Sequence, residues 1–216
     1  MHRLPDGGDA SMKQTWDAAA FMNRLTAHRM IASIKEPKQI EVALALKHQL
    51  SGVFLLTGHI GVIKGYVDLF RKHDLPVFLH LEKIGGLSVD TYGLEYIANA
   101  IRPTGIITTK TSVVKTVKRM GLITVQRFFL VDSEGLDNIA KSLNQTEPDI
   151  VELMPARIPE MIQRVRTFTN LPVITGGLLS ETAQSLECLR YGASAVSSSR
   201  TELWRVPLQQ RFTEVS

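Results

Sequence analysis

A short apolar run followed by a longer amphipathic stretch recurs eight times along this chain, and that alternation constrains the fold more than any other feature. The runs are Met30 to Ile34, Gly52 to Thr57, Pro76 to Leu81, Gly105 to Thr109, Ile123 to Arg127 and Asp149 to Met154, with two more inside Pro172 to Ser180 and Tyr191 to Ser199. Helical patterns follow at Pro37 to Gln49, Gly61 to His73, Asp90 to Ile101, Ser112 to Met120, Ser133 to Asn144 and Ile158 to Thr169, and another lies between the last two runs. Gly or Pro marks the strand starts, as in Asp74-Leu-Pro76, Arg102-Pro-Thr-Gly105 and Asn170-Leu-Pro172, and so sets the count. Eight strand–helix units with short connections predict an α/β fold, a single-domain (β/α)8 TIM-type barrel. A doubly wound open sheet would place Gly-x-Gly-x-x-Gly after its first strand. Here that strand ends in Ala32-Ser-Ile-Lys-Glu36, which has no glycine.

The barrel is expected over residues 12–204, opening with an N-terminal helix from Lys13 to Ala27 whose Trp16, Ala20 and Leu25 face the barrel floor. Residues 1–11, with Pro5 and Gly7-Gly8, read as a flexible extension, and 205–216 as a C-terminal tail. The 44% hydrophobic content suits a sizeable core, and 25 Lys and Arg against 21 Asp and Glu leave a net +4, which permits an anionic partner without demanding one. The lone Cys188 excludes an internal disulfide and a multi-cysteine metal site, and it suits a reducing cytoplasm. With no long apolar run and a polar start, the chain is expected to be cytoplasmic and free of any membrane.

In such barrels the chemistry collects where strands end. The last two strands end in small residues, Gly176 and Gly177 on one and Ser197, Ser198 and Ser199 on the other. Ser199-x-x-Glu202 adds a capping-box signature for a helix starting at once. Backbone amides exposed at these two turns are the arrangement by which many barrels hold a phosphate. Elsewhere the strand ends offer Lys35, Thr57, His59, His80, Glu82, Thr108, Lys110, Gln126, Arg127 and Glu152. Period two puts Phe78, His80 and Glu82 on one side of the third strand. His80 with Glu82 is either an acid–base pair or a loop anchor, and Arg127 either meets an anion or pairs with a carboxylate such as Glu152. The loop Glu82 to Asp90, with Gly85-Gly86, is a lid, a ligand-contacting turn or a plain connection. No regular ligand spacing points to a metal. A phosphate clamp serves enzymes and sensors alike.

Several stretches along the rim, taken together, resemble the glycerol uptake operon antiterminator family. They are Phe78 to Tyr96, Pro103 to Lys110, Ile123 to Ser133, Val151-Glu-Leu-Met-Pro155, Gly176-Gly-Leu178 and Gly192 to Trp204. The match runs in consistent order from Arg29 to Trp204, and it is the strand-five Gln-Arg-Phe-Phe, the Gly-Gly-Leu and the closing Glu-Leu-Trp together that make it specific. The resemblance implies a regulator rather than an enzyme, one that responds to glycerol 3-phosphate, needs no cofactor and acts on leader messenger RNA of glycerol-use genes to prevent premature termination. Two positions depart from the family pattern: Glu82 where an Asp is expected, and Ala156 where a Gly is common.

On that reading the phosphate rests on Gly176, Gly177, Ser198 and Ser199, Arg127 and Lys110 neutralise it, and Glu82 or Glu152 accepts from the glycerol hydroxyls, with His80 also in the ligand site. RNA is assigned to the basic strip Lys115, Lys118 and Arg119, with Arg157, Arg164 and Arg166 as a second strip; taken singly, either reads more readily as a solvated helix face. A homo-oligomer is compatible with the sequence. The competing functions are a phosphate-barrel isomerase or lyase acting on a small sugar phosphate, and a sensor that recruits a protein partner instead of RNA.

Overall fold

In the computed structural model, which describes residues 16–132 and 134–215, eight parallel strands close into a barrel in the order β1 to β8, with β1 paired to both β2 and β8. The strands are β1 Met30–Ile34, β2 Gly52–Leu55, β3 Val77–His80, β4 Gly105–Thr108, β5 Ile123–Phe129, β6 Ile150–Met154, β7 Val173–Gly176 and β8 Ala195–Ser198. The helices are α1 Ala18–His28, α2 Gln39–Ala45, α3 Ile63–Lys72, α4 Thr91–Tyr96, α5 Thr111–Arg119, α6 Glu134–Thr146, α7 Glu160–Arg166, α8 Thr182–Arg190, α9 Thr201–Trp204 and α10 Leu208–Val215. The chain is therefore the (β/α)8 barrel that its periodicity predicts, with β5 running two residues further, through Phe128 and Phe129.

Strand residues divide by parity. Ile31, Phe54, Phe78, Ile107, Ile123, Val125, Ile150, Ile174 and Ala195 fill the barrel interior, while their neighbours, such as Ala32, Val53, Leu79 and Val151, pack outward against the helices. A sheet covered on both faces needs no polar alternation, which is why the strands read as continuous apolar runs.

The floor is closed by α1. Asp17 caps it by accepting from the Ala20 amide at 2.7 Å. Lys13, its expected start, lies outside the described residues, as do the 1–11 extension and Ser133, the expected first residue of α6. Leu25 is buried as expected, but the main plug is Phe21, whose ring centroid sits 4.7 Å from that of Phe78. Burying such a ring contributes about 1.5–3 kcal/mol. Trp16 stays half-buried beneath the guanidinium of Arg24.

Two other expectations are corrected. The segment read as a plain tail carries α10, which packs against α1 and α8 and offers Phe212 to the guanidinium of Arg29. The capping box expected at Ser199 and Glu202 does not form; α9 starts one residue later on Arg200 with no side-chain cap. The Ser199 carbonyl instead accepts from Gln39 Nε2 at 2.9 Å, and Trp204 Nε1 donates to the Ser198 carbonyl at 2.7 Å. A reciprocal capping box occurs on α8, between Glu181 and Gln184. Among the described residues no helix is long and apolar enough to cross a membrane.

Candidate functional site

The C-terminal end of the barrel opens into a cavity of about 850 Å³ over the ends of β7, β8 and β1. Gly177, Ser198 and Ser199 line it, and Gly176 lies directly beneath. These two glycines serve different purposes. A side chain at Gly176 would begin 2.1 Å from Ser197 Oγ, so its absence lets that hydroxyl cross β7 to reach Glu152 on β6. Gly177 turns the chain at φ +80°, a conformation that side-chain-bearing residues avoid.

Among the described residues four cations line the cavity, Lys35, Lys83, Arg127 and Arg200, and no carboxylate does. Arg127 is 7% exposed, and its Nε donates to Glu152 Oε2 at 2.7 Å. The other Glu152 oxygen accepts from Ser197 Oγ at 2.8 Å. Glu152 is fully buried, so this pair holds a charged group inside the barrel only because each partner compensates the other. The reading in which Arg127 pairs with Glu152 is the one realised, yet Arg127 also lines the cavity, and its terminal guanidinium nitrogens make no hydrogen bond among the described residues. Lys35, Lys83 and Arg200 have no ion pair among the described residues, which leaves three uncompensated positive charges at the mouth.

Gln39 shapes the seam of the barrel here. Its Oε1 accepts from the amides of Lys35 and Glu36 at 2.8 and 3.1 Å while its Nε2 donates to Ser199, so one side chain ties the end of β1 to the end of β8. The helix-start donor expected after β8 is not free: the Arg200 amide donates to Ser198 Oγ at 3.2 Å.

His80 and Glu82 come together as the strand-three parity implies, but outside the cavity lining. His80 Nδ1 approaches Glu82 Oε2 at 3.0 Å, obliquely enough that neither atom makes an aligned hydrogen bond. Thr108 donates to the other carboxylate oxygen. Burial pushes the Glu82 carboxyl upward, but His80 and Thr108 outweigh it and hold it down at about 2. This cluster fixes the tight turn Leu81 to Lys83, and that turn delivers Lys83 to the cavity. Lys110 is exposed, has its amide on Thr108 Oγ1 at 3.0 Å and does not line the cavity, whose cations are Lys35, Lys83, Arg127 and Arg200. Gln126 points outward and bonds Ser142 and Thr146 of α6.

The Gly85-Gly86 loop is fastened rather than free. Gly85 donates to the Gly58 carbonyl and the Ile60 amide donates back to Gly85, each at 2.9 Å, so the loops after β2 and β3 are joined, and neither glycine lines the cavity. Ala156 takes the place of the common glycine without strain, its amide donating to the Gly176 carbonyl at 2.8 Å. In the α5 strip, Lys118 is spent on Asp149 at 3.0 Å and on the Glu147 carbonyl, while Lys115 and Arg119 remain exposed and unpaired. Among the described residues no group of three or more His, Cys, Asp or Glu could hold a metal ion.

Lys35, offered as a strand-end candidate but given no ligand role, does line the cavity, on the inward parity of β1 that it shares with Ile31 and Ser33. Lys83 was not among the candidates, because the turn at Leu81 breaks the period of two.

Residues 30–204 match the family model described as glycerol-3-phosphate responsive antiterminator. The chain is 27% identical over 184 residues to the uncharacterized protein YgcP of Escherichia coli (strain K12), an alignment covering 85% of this chain and 95% of that protein. Among solved structures it is similar to the glycerol uptake operon antiterminator regulatory protein from Listeria monocytogenes str. 4b F2365. The TM-score is 0.76 at 29% identity, covering 81% of this chain and 94% of the other. A glycerol uptake operon antiterminator-related protein from Thermotoga maritima shares the fold, with a TM-score of 0.73 at 24% identity over 82% of this chain and 98% of its own.

Proposed function

The chain belongs to the glycerol-3-phosphate responsive antiterminator family, and from that membership we propose that it is a glycerol 3-phosphate sensor that binds leader messenger RNA and prevents premature transcription termination. The observation that carries the ligand half is the cavity over Gly177, Ser198 and Ser199, ringed by Lys35, Lys83, Arg127 and Arg200 with no carboxylate in its lining. A phosphate monoester bears close to two negative charges at neutral pH. It suits a mouth with three unpaired cations and a fourth held rigid by Glu152.

On this proposal the phosphate sits between the β7 and β8 turns. Glu152 has both oxygens occupied, so it orients Arg127 rather than binding the glycerol. The Ser33 hydroxyl, which lines the cavity and makes no hydrogen bond among the described residues, is the nearer candidate for the polyol. His80 and Glu82 act as positioning residues for Lys83, and Lys110 plays no direct part. The same occupancy argues against an acid–base enzyme, because a carboxylate already accepting from Arg127 and Ser197 is poorly placed to take a substrate proton.

If ligand and RNA are coupled, each raises affinity for the other by the same factor, typically about 1–3 kcal/mol. Calorimetric titration with glycerol 3-phosphate, alone and with a leader RNA present, tests both halves. The expected result is saturable binding to the protein alone and tighter binding when RNA is present. No heat and no rise in melting temperature at saturating ligand would remove the sensor reading.

A further inference from the structure

At the end of the barrel opposite the ligand cavity, the last turns of α5, α6 and α7 and the loops behind them enclose a groove of about 670 Å³. Helices that return from the strand ends finish at the floor, so their last turns gather there. Lys118, Asn144, Glu147, Arg166, Phe168 and Asn170 are among its lining residues. Arg157 of the second basic strip lies away from it, in the loop between β6 and α7. The rest of the two strips approaches it through Lys118 of α5 and Arg166 of α7, which line it, and these helices carry four exposed cations: Lys115 and Arg119 on α5, and Arg164 and Arg166 on α7. None of these four cations has an ion pair among the described residues. The stem of Arg166 passes 2.9 Å from where a side chain at Gly192 would begin, so this glycine leaves room for it at the groove edge. Among the described residues Phe168, 40% exposed, is the one aromatic residue of a lining that also includes Leu143, Pro148, Leu171 and Pro172.

We propose that this groove is the RNA surface, and that it takes single-stranded RNA: a base stacks on Phe168, the amides of Asn144 and Asn170 reach its edge, and phosphates lie along Arg119, Arg164 and Arg166. This rests on the RNA-binding reading above. An aromatic face between cationic edges is the pairing by which single strands are held, since every base has a face to stack and every linkage a charge. An acidic peptide would use the cations but has no use for the ring and the two amides.

The test uses the full chain with saturating glycerol 3-phosphate and fluorescence anisotropy of a short labelled mixed-sequence RNA, offered as a single strand and as a hairpin stem. The single strand binds more tightly. Phe168→Leu, which keeps apolar volume but removes the ring, weakens binding about tenfold. The double variant R119E/R166E flattens the dependence of log affinity on log salt by about 1.4, as expected for two lost single-strand phosphate contacts. Every variant keeps the wild-type thermal shift with glycerol 3-phosphate, which shows that it is folded. RNA binding that survives both changes, a preference for the stem, or a polyglutamate peptide that binds more tightly than RNA overturns the assignment of this groove and leaves the sensor reading standing. A wild-type protein that shifts with glycerol 3-phosphate but binds neither RNA overturns the RNA reading and this inference together.

Discussion

Two carboxylates stand at the mouth of the barrel in different states. Glu152, on β6, is fully buried with both oxygens used, one by Arg127 and one by Ser197. Glu82, in the turn after β3, is held by Thr108 on one oxygen and meets His80 only obliquely on the other. The first holds a cation in place under the cavity, and the second holds a loop that presents another. A carboxylate near an anion site is thus no sign of a ligand contact: its own hydrogen bonds decide whether it has capacity left.

The harshest way to break this contrast is to remove the charge of Glu152. Glu152→Gln leaves the Arg127 guanidinium buried without its counter-ion, and unfolding in urea should show a loss of about 3 kcal/mol. A loss below about 1 kcal/mol, the range of an ordinary surface pair, would mean that the Arg127 site is wetter than it looks.

Gly176→Ala attacks the same network from the backbone. The new methyl would begin 2.1 Å from Ser197 Oγ and expel that hydroxyl from Glu152. Overpacking of this kind costs about 1–3 kcal/mol. Combining Gly176→Ala with Ser197→Ala should recover part of the loss, and a double variant no better than the single one would place the strain elsewhere.

Glu82→Gln should cost less, about 1 kcal/mol at neutral pH, because a hydrogen bond with Thr108 survives. Its signature is pH dependence. The Glu82 carboxyl is held at about 2 against an ordinary 4.5, so the folded state favours its charged form. That stabilisation is fully present above 4.5 and is lost as pH falls toward about 2. The acid limb of the wild-type stability curve should therefore be steeper than that of Glu82→Gln, and superimposable limbs would show that the turn does not depend on this charge.

The smallest effects concern the rim. Lys35→Ala and Arg200→Ala should each weaken glycerol 3-phosphate binding severalfold, about 1 kcal/mol for a partly solvated charge, while Lys110→Ala leaves it unchanged. Equal losses at all three positions would extend the site across to β4.

The strands were legible from the chain itself because burial on both faces leaves unbroken apolar runs punctuated by Gly and Pro, and their boundaries in the structure differ by a residue or two at the ends. Phe21 was missed as the floor plug because a helical pattern alone does not say which apolar residue meets a barrel axis. The Ser199 capping box was expected from a four-residue signature, but the turn is instead held by a long-range bond from Gln39 to the Ser199 carbonyl and a local one from Trp204 to that of Ser198. The Gly85-Gly86 loop looked free because its partner, the Gly58 to Ile60 turn, belongs to another strand–helix unit.

Local periodicity by itself determined the number of strands, their parallel closure, and the Gly-Gly and Ser-Ser-Ser turns at the two final strand ends. Only tertiary structure decided which charges meet. Closure sets β8 beside β1, and so brings Lys35 to Arg200 and Ser199. The pairing of β5 with β6 turns Arg127 onto Glu152. The physical reason is one of range: side-chain direction follows from dihedral angles a residue at a time, whereas an ion pair or a cavity wall depends on distances between groups that the chain connects only through the whole barrel.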